Sequence, residues 1–171
     1  MSLQEQNRLA GFRLQKVFVA VVIVFLMVLS TASFDVIQAK VRDQKRKADL
    51  QQISLALQLY FDNYQKFPPV EDNDWSGWDL SFEFDGSKQT FLSKLSQTGY
   101  IDRVPVDPLN NSSYLYRYNY YPAGSFGCSK AFFILQALNF EGSEKKHGSG
   151  FCPEYNFVDM AFNGYTIQIF E

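Results

Sequence analysis

From Val17 to Leu29 the chain reads VFVAVVIVFLMVL, thirteen apolar residues without a break. The uncharged stretch runs on through Ser30, Thr31, Ala32 and Ser33 to Phe34, so eighteen residues separate Lys16 from Asp35. As a helix they would rise roughly 27 Å, close to the ~30 Å hydrocarbon core of a bilayer. No polar residue divides the run into faces, which argues against a core helix of a soluble domain. Two readings stay open. The run is a retained transmembrane anchor, or it is a secretory signal cut after Ala32, with Ser30 and Ala32 as the small residues of the cleavage site. Upstream, Arg8, Arg13 and Lys16 outnumber Glu5, which points to an N-terminus held in the cytoplasm and an exported C-terminal domain. The downstream cluster Lys40, Arg42, Lys45, Arg46 and Lys47 pulls the other way, diluted by Asp35, Asp43 and Asp49.

The helical pattern does not stop with the apolar run. From Asp35 to Tyr64 there is neither Gly nor Pro, and Leu50, Ile53, Leu57, Tyr60, Phe61 and Tyr64 recur at three- and four-residue spacing. Arg42, Lys45, Arg46, Asp49 and Gln52 fall on other faces, so the charge run 40–49 reads as a solvated helix face. One long helix is therefore expected from about Phe12 to about Tyr64. Its first half, 12–34, belongs to the membrane. Its amphipathic half, 35–66, packs a Leu/Ile/Tyr stripe on a globular domain, 67–171. Phe67-Pro68-Pro69 ends it, because proline cannot continue a helix and restricts the residue before it.

Residues 70–90 read as a polar loop with aromatic anchors. Thr90 is a candidate cap for a short helix ending at Gly99, and Asp107-Pro108-Leu109-Asn110-Asn111 is a turn. Tyr114–Tyr120, Ala131–Leu138 and Thr166–Phe170 are rich in aromatic or β-branched residues and bounded by Gly, Pro or Asn, so each reads as a strand. The expected class is α+β: a long N-terminal helix packed on a small antiparallel sheet. Aromatic residues are 17% of the chain and lie mostly after position 60, which suits a packed domain. A net charge of −2 gives no basic field for nucleic acid.

Groups able to carry chemistry are few. Cys128 and Cys152 are the two cysteines, and in an exported domain such a pair reads as a disulfide, otherwise as two buried thiols. Asp72, Asp74 and Asp79, beside Glu71, read first as a solvated turn, with a spacing that would also suit calcium. Trp75 and Trp78 form either a docking surface or an aromatic lid over the helix. His147, the one histidine, lies between Lys146 and Gly148 with no legible nucleophile or metal partner. No phosphate loop, HExxH or GxSxG is present, and no enzymatic activity is expected.

Several local patterns together resemble a known family. Gly11-Phe12-x-Leu14 is similar to the site at which a prepilin peptidase cuts after Gly. Arg46…Asp49-Leu50-x-x-Ile53-x-x-Ala56-Leu57-x-x-Tyr60-x-x-Asn63-x-x-x-Phe67-Pro68 is similar to the helix end of major pseudopilins. Leu95-x-x-x-Gly99-Tyr100-Ile101-x-x-Val104-Pro105-x-Asp107-Pro108 resembles the loop that follows in that group. Tyr114-x-Tyr116-x-Tyr118 and Phe133-Ile134-Leu135-Gln136-Ala137-x-Asn139 fit its first two strands. The chain thus resembles the type IV pilins and the pseudopilins of type II secretion. The resemblance implies a leader-like segment 1–11, processing at Gly11 and Phe12, and no cofactor, although some pseudopilins bind calcium in a later loop. It also implies filament packing through the helix residues Lys16, Val17, Val21, Val24, Leu26 and Leu29, with the inner membrane, the peptidase and other pilin-like subunits as partners. One departure stands out. The fifth residue after the cut is normally Glu, thought to pair with a neighbour's N-terminal amine, and here it is Lys16. Lys cannot pair with an amine, so a second expectation stays open: a monomeric, membrane-anchored binding module at the cell surface.

Overall fold

A computed structural model describes residues 3–71, 76–83, 90–142 and 147–171; within its first helix the side chains of residues 3–14, 26 and 28–33 lie outside the description. Residues 1–39 form one compact unit and residues 40–171 a second.

Helix α1, Leu3–Tyr64, supplies residues to both. It begins at Leu3 rather than near Phe12, in a stretch of Leu, Gln, Arg and Ala, all good helix formers. It ends where the sequence places the end. Gln65 adopts a left-handed φ of 53°, and its N–H returns to the Phe61 carbonyl at 2.7 Å. The prolines follow at once.

In the second unit the elements run β1 Asp79–Leu80, α2 Ser93–Gln97, β2 Tyr116–Tyr121, β3 Phe132–Ala137, β4 His147–Gly148, β5 Phe151–Cys152, β6 Tyr155–Asn156 and β7 Tyr165–Phe170. The three expected strands are β2, β3 and β7, displaced by one or two residues at their ends. They form the centre of a five-stranded sheet in the order β1-β2-β3-β7-β4, while β5 and β6 make a separate two-stranded ribbon. The fold is mixed α+β, a long helix with this sheet. The sheet is not wholly antiparallel. β4 runs parallel to β7, and Gly148 permits the approach, since a Cβ there would lie 1.9 Å from the Thr166 carbonyl oxygen.

Side-chain alternation divides two cores. On the helix side, Leu50, Ile53, Leu57 and Tyr60 of α1 meet Tyr116, Tyr118, Phe133 and Leu135, with Leu92 and Leu95 closing the end. On the other face, Phe132 and Ile134 meet Trp78, Leu80, Phe157 and the two cysteines. β3 is buried at every position, as a central strand covered on both faces must be.

Three expectations need correction. The stretch 70–90 is not all loop, because Asp79 and Leu80 pair with Tyr118 and Arg117 as an edge strand. Thr90 does not cap α2. The residue preceding the helix is Leu92, held at a left-handed φ of 47°, and no side chain caps it. Trp78 is no lid over the helix, since it lies in the opposite core, 4.4 Å beneath the Arg117 guanidinium. Trp75 lies outside the described residues.

Candidate functional site

In the first unit, the apolar stretch of α1 from Val17 to Met27 is exposed wherever it is described. Relative exposure runs from 39% at Val22 to 69% at Phe18, and Val17, Val21 and Val24 each stand near 60%. Phe34, Val36 and Ile37 continue this exposure. A helix stretch that exposes this much apolar surface needs a covering other than water. Among the described residues no helix is long and apolar enough to cross a membrane. The side chains of Gly11, Phe12, Leu26 and Leu29 lie outside the described residues, as do Asp72 and Asp74.

The second unit holds a buried ionic joint that the sequence reading missed. Arg46 is wholly buried. Its Nε donates to Asp107 Oδ2 at 2.7 Å and its Nη2 to Asp107 Oδ1 at 3.0 Å, a two-pronged pair. Its Nη1 donates to Asp43 Oδ1 at 2.7 Å and to Glu141 Oε1 at 2.8 Å. The Tyr114 ring lies 4.9 Å from the guanidinium carbon. Arg42 clamps Glu141 from outside, Nε to Oε1 at 2.7 Å and Nη2 to Oε2. Asp43 in turn accepts the backbone N–H groups of Glu141 and Gly142 at 2.9 and 2.8 Å. One turn further along α1, Asp49 accepts the Tyr116 hydroxyl at 3.0 Å and Lys45 Nζ at 2.9 Å.

The electrostatics follow from this crowding. Burial pushes Arg46 toward losing its proton, but the hydrogen bonds and charge of Asp107, then of Glu141 and Asp43, outweigh it and hold its pKa above the ordinary arginine value. The Arg42 hydrogen bond holds Glu141 below the usual carboxylate range, with Arg46 adding to it against the effect of burial. The joint fastens three places of the chain to the helix: the turn at Asp107, the bend after β3 at Glu141, and β2 through Tyr116.

The charge run 40–49 is therefore a solvated face only in part: Lys40 and Lys45 are exposed, while Asp43, Arg46 and Asp49 are buried. Asp43, Arg46, Leu50, Ile53, Leu57, Tyr60 and Tyr64 recur at spacings of three and four, so Asp43 and Arg46 extend the very stripe that packs on the sheet. That periodicity was a legible signal. Reading charge as exposure hid it, although charged residues do go inside when paired.

The calcium reading fares differently at Asp79. Its side chain is fully buried, and Oδ2 accepts the Leu92 N–H at 2.9 Å. Burial first, with Glu71 and Glu83 adding like charge, pushes its pKa up to about 8. Among the described residues, no group of His, Cys, Asp or Glu is placed to hold one. The Asp107 turn combines both of its roles, since Oδ1 also accepts the Leu109 N–H at 2.9 Å. Cys128 and Cys152 are joined as a disulfide with Cα atoms 5.2 Å apart, tying the loop after β2 to the β5–β6 ribbon. His147 is exposed in β4.

Two shallow grooves lie beside one another in this unit. The larger, about 450 Å³, is lined by Leu55, Ala56, Leu59, Tyr100, Ile101 and Arg103 among others. The smaller, about 220 Å³, shares Asp102 and Arg103 with it. Leu55 and Leu59 are the exposed leucines of this part of α1. Comparison of the chain with protein-family models, with curated proteins and with solved structures finds no match.

Proposed function

We propose that this chain is a pilin-like structural or accessory subunit of a type IV pilus or type II secretion-type filament, carried in the inner membrane before assembly. The observation that carries the reading is the division of labour along α1. The described residues of its 17–27 stretch expose apolar side chains, and its 43–60 stripe is buried in a folded head. The first needs lipid or like helices around it, and the second fastens the head to the same helix. In this reading the N-terminus faces the cytoplasm and residues 40–171 lie outside, in the periplasm or at the cell surface, where a disulfide is at home. A prepilin peptidase cuts between Gly11 and Phe12. Val17, Val21, Val24, Leu26 and Leu29 then pack with neighbouring subunits, and Lys16 meets an acidic group of another subunit or turns to the headgroups. No nucleic acid, cofactor or catalytic step is involved.

Lys16 favours a second reading. A cation where the family has a carboxylate removes the pairing on which its assembly is thought to rest, leaving a monomeric anchored module that binds through its head.

Mass spectrometry of the protein purified from native membranes tests both. A chain starting at Phe12, with a methylated amine, supports the filament subunit. A chain starting at Met1 overturns processing and leaves the anchored module. A start at Ser33 shows a cleaved signal and removes the helix both readings need.

A further inference from the structure

In two places the chain reads Asn-x-Ser with no Pro between, and the two overlap: Asn110-Asn111-Ser112 and Asn111-Ser112-Ser113. Asn followed at the second position by Ser or Thr is the acceptor sequence of N-glycosylation, in which a sugar is joined to the asparagine amide nitrogen on a surface loop of an exported domain. The sequence does not choose between the two asparagines. The fold does.

Asn110 is built into the head. It sits at a left-handed φ of 38°. Its Nδ2 donates to the Ser81 carbonyl at 2.8 Å, and its Oδ1 accepts the Ser81 hydroxyl at 2.9 Å. Ser81 is wholly buried, and its hydroxyl oxygen also accepts the Tyr116 N–H at 2.8 Å. A sugar on the Asn110 nitrogen would be driven against this buried residue. Asn111 is placed differently. It is exposed, and so are Ser112 and Ser113. Its Oδ1 accepts the N–H groups of Ser113 at 3.0 Å and Tyr114 at 3.1 Å, so two donors hold the carboxamide by its oxygen. Its backbone closes the same turn on Tyr114, at 2.9 Å and 3.2 Å. The Asn111 Nδ2 makes no hydrogen bond among the described residues, so a substituent there displaces no bond of the fold.

We propose that Asn111 is an N-glycosylation site, taking an oligosaccharide from a lipid-pyrophosphate carrier through a membrane transferase. The step forms the bond from the sugar C1 to Nδ2 and breaks the C1–O bond to the pyrophosphate, which leaves with the bonding electrons. A base of the transferase takes one Nδ2 proton, and nothing is oxidised or reduced. The proposal rests on the reading that residues 40–171 lie outside the cytoplasm.

The test is made on the full chain from native membranes, digested with trypsin after its intact mass is taken. The peptide Val104–Arg117 should carry the mass of the oligosaccharide, and electron-transfer fragmentation should place it on Asn111. Ser113→Ala keeps Asn111 but breaks its acceptor sequence, and the sugar should be lost. Ser113→Thr keeps the sequence and should keep the sugar. Ser112→Ala breaks only the Asn110 sequence and should keep it too. The same digest reports whether Cys128 and Cys152 are joined, and protease added outside the sealed membrane reports which side the head is on. An outside, disulfide-bonded head with a bare Asn111 overturns the proposal and leaves the filament reading standing. A head protected on the cytoplasmic side overturns both. Sugar found on Asn110, Ser112 or Ser113, or sugar that survives Ser113→Ala, also overturns the proposal.

Discussion

Arg46 of the helix and Asp107 of the turn before the sheet grip each other through two parallel hydrogen bonds, with neither side chain exposed to solvent. Sixty-one residues of sequence separate them. The pair costs desolvation on both sides, and its geometry, with Asp43 and Glu141 filling the remaining donors, offsets that cost.

Removing one partner is expected to do more damage than the pair contributes. Arg46→Met leaves Asp43, Asp107 and Glu141 facing one another with their shared cation gone. We expect a loss of about 3–5 kcal/mol in urea unfolding of the head. Arg46→Lys keeps the charge but not the fork, and should recover only part of it. A loss below about 1 kcal/mol for Arg46→Met would show that the joint is incidental.

Glu141 ties the joint to acid pH. Its pKa is lowered by the Arg42 hydrogen bond first and by Arg46 as well. A depressed carboxylate stabilises the fold above its unfolded value of 4.5, and the contribution is lost as pH falls through the lower, folded one. Glu141→Gln should cost about 1–3 kcal/mol at neutral pH and flatten the acid limb of the stability profile. An unchanged acid limb would place the titration elsewhere.

Asp79 has the opposite sign. Burial raises its pKa from 3.8 to about 8, so the folded state holds the proton over a window in which the unfolded chain has lost it. That contribution is fully present below pH 3.8 and fades as pH rises to about 8. Asp79→Asn keeps an acceptor for the Leu92 N–H and cannot ionise. It should be more stable than the parent by roughly 1–3 kcal/mol at pH 8, with the difference vanishing in acid. Equal stability at both ends of the window would mean that Asp79 stays charged when buried.

Reduction of the disulfide should loosen the β5–β6 lobe. Cys128 and Cys152 are 24 residues apart, and closing such a loop is worth about 3.5 kcal/mol in the chain-entropy account. The Cys128→Ser, Cys152→Ser double variant should unfold at correspondingly lower urea. Amide protection should fall first around Phe151–Asn156 and be retained in β2 and β3. Equal loss across the whole sheet would show that the lobe and sheet unfold as one.

What the sequence determined by itself is whatever rests on neighbours in the chain. The 3.6-residue period of Leu50 to Tyr64 and the prolines after it placed the helix and its end. The β-branched and aromatic runs placed β2, β3 and β7 to within one or two residues, because side chains that fit a pleated, half-buried surface announce themselves locally. Tertiary structure alone decided the rest. Asp79–Leu80 and His147–Gly148 are too short to carry a pattern, and they became strands because β2 and β7 had open edges to pair with. Asp79 turned inward because the strand it joined faces the core there. Asp43 and Arg46 share the helical stripe of Leu50, yet whether a charge on that stripe is buried depends on partners that Asp107 and Glu141 bring from far along the chain. A charge goes inside only when its counter-charge arrives with it, and no local pattern contains that meeting.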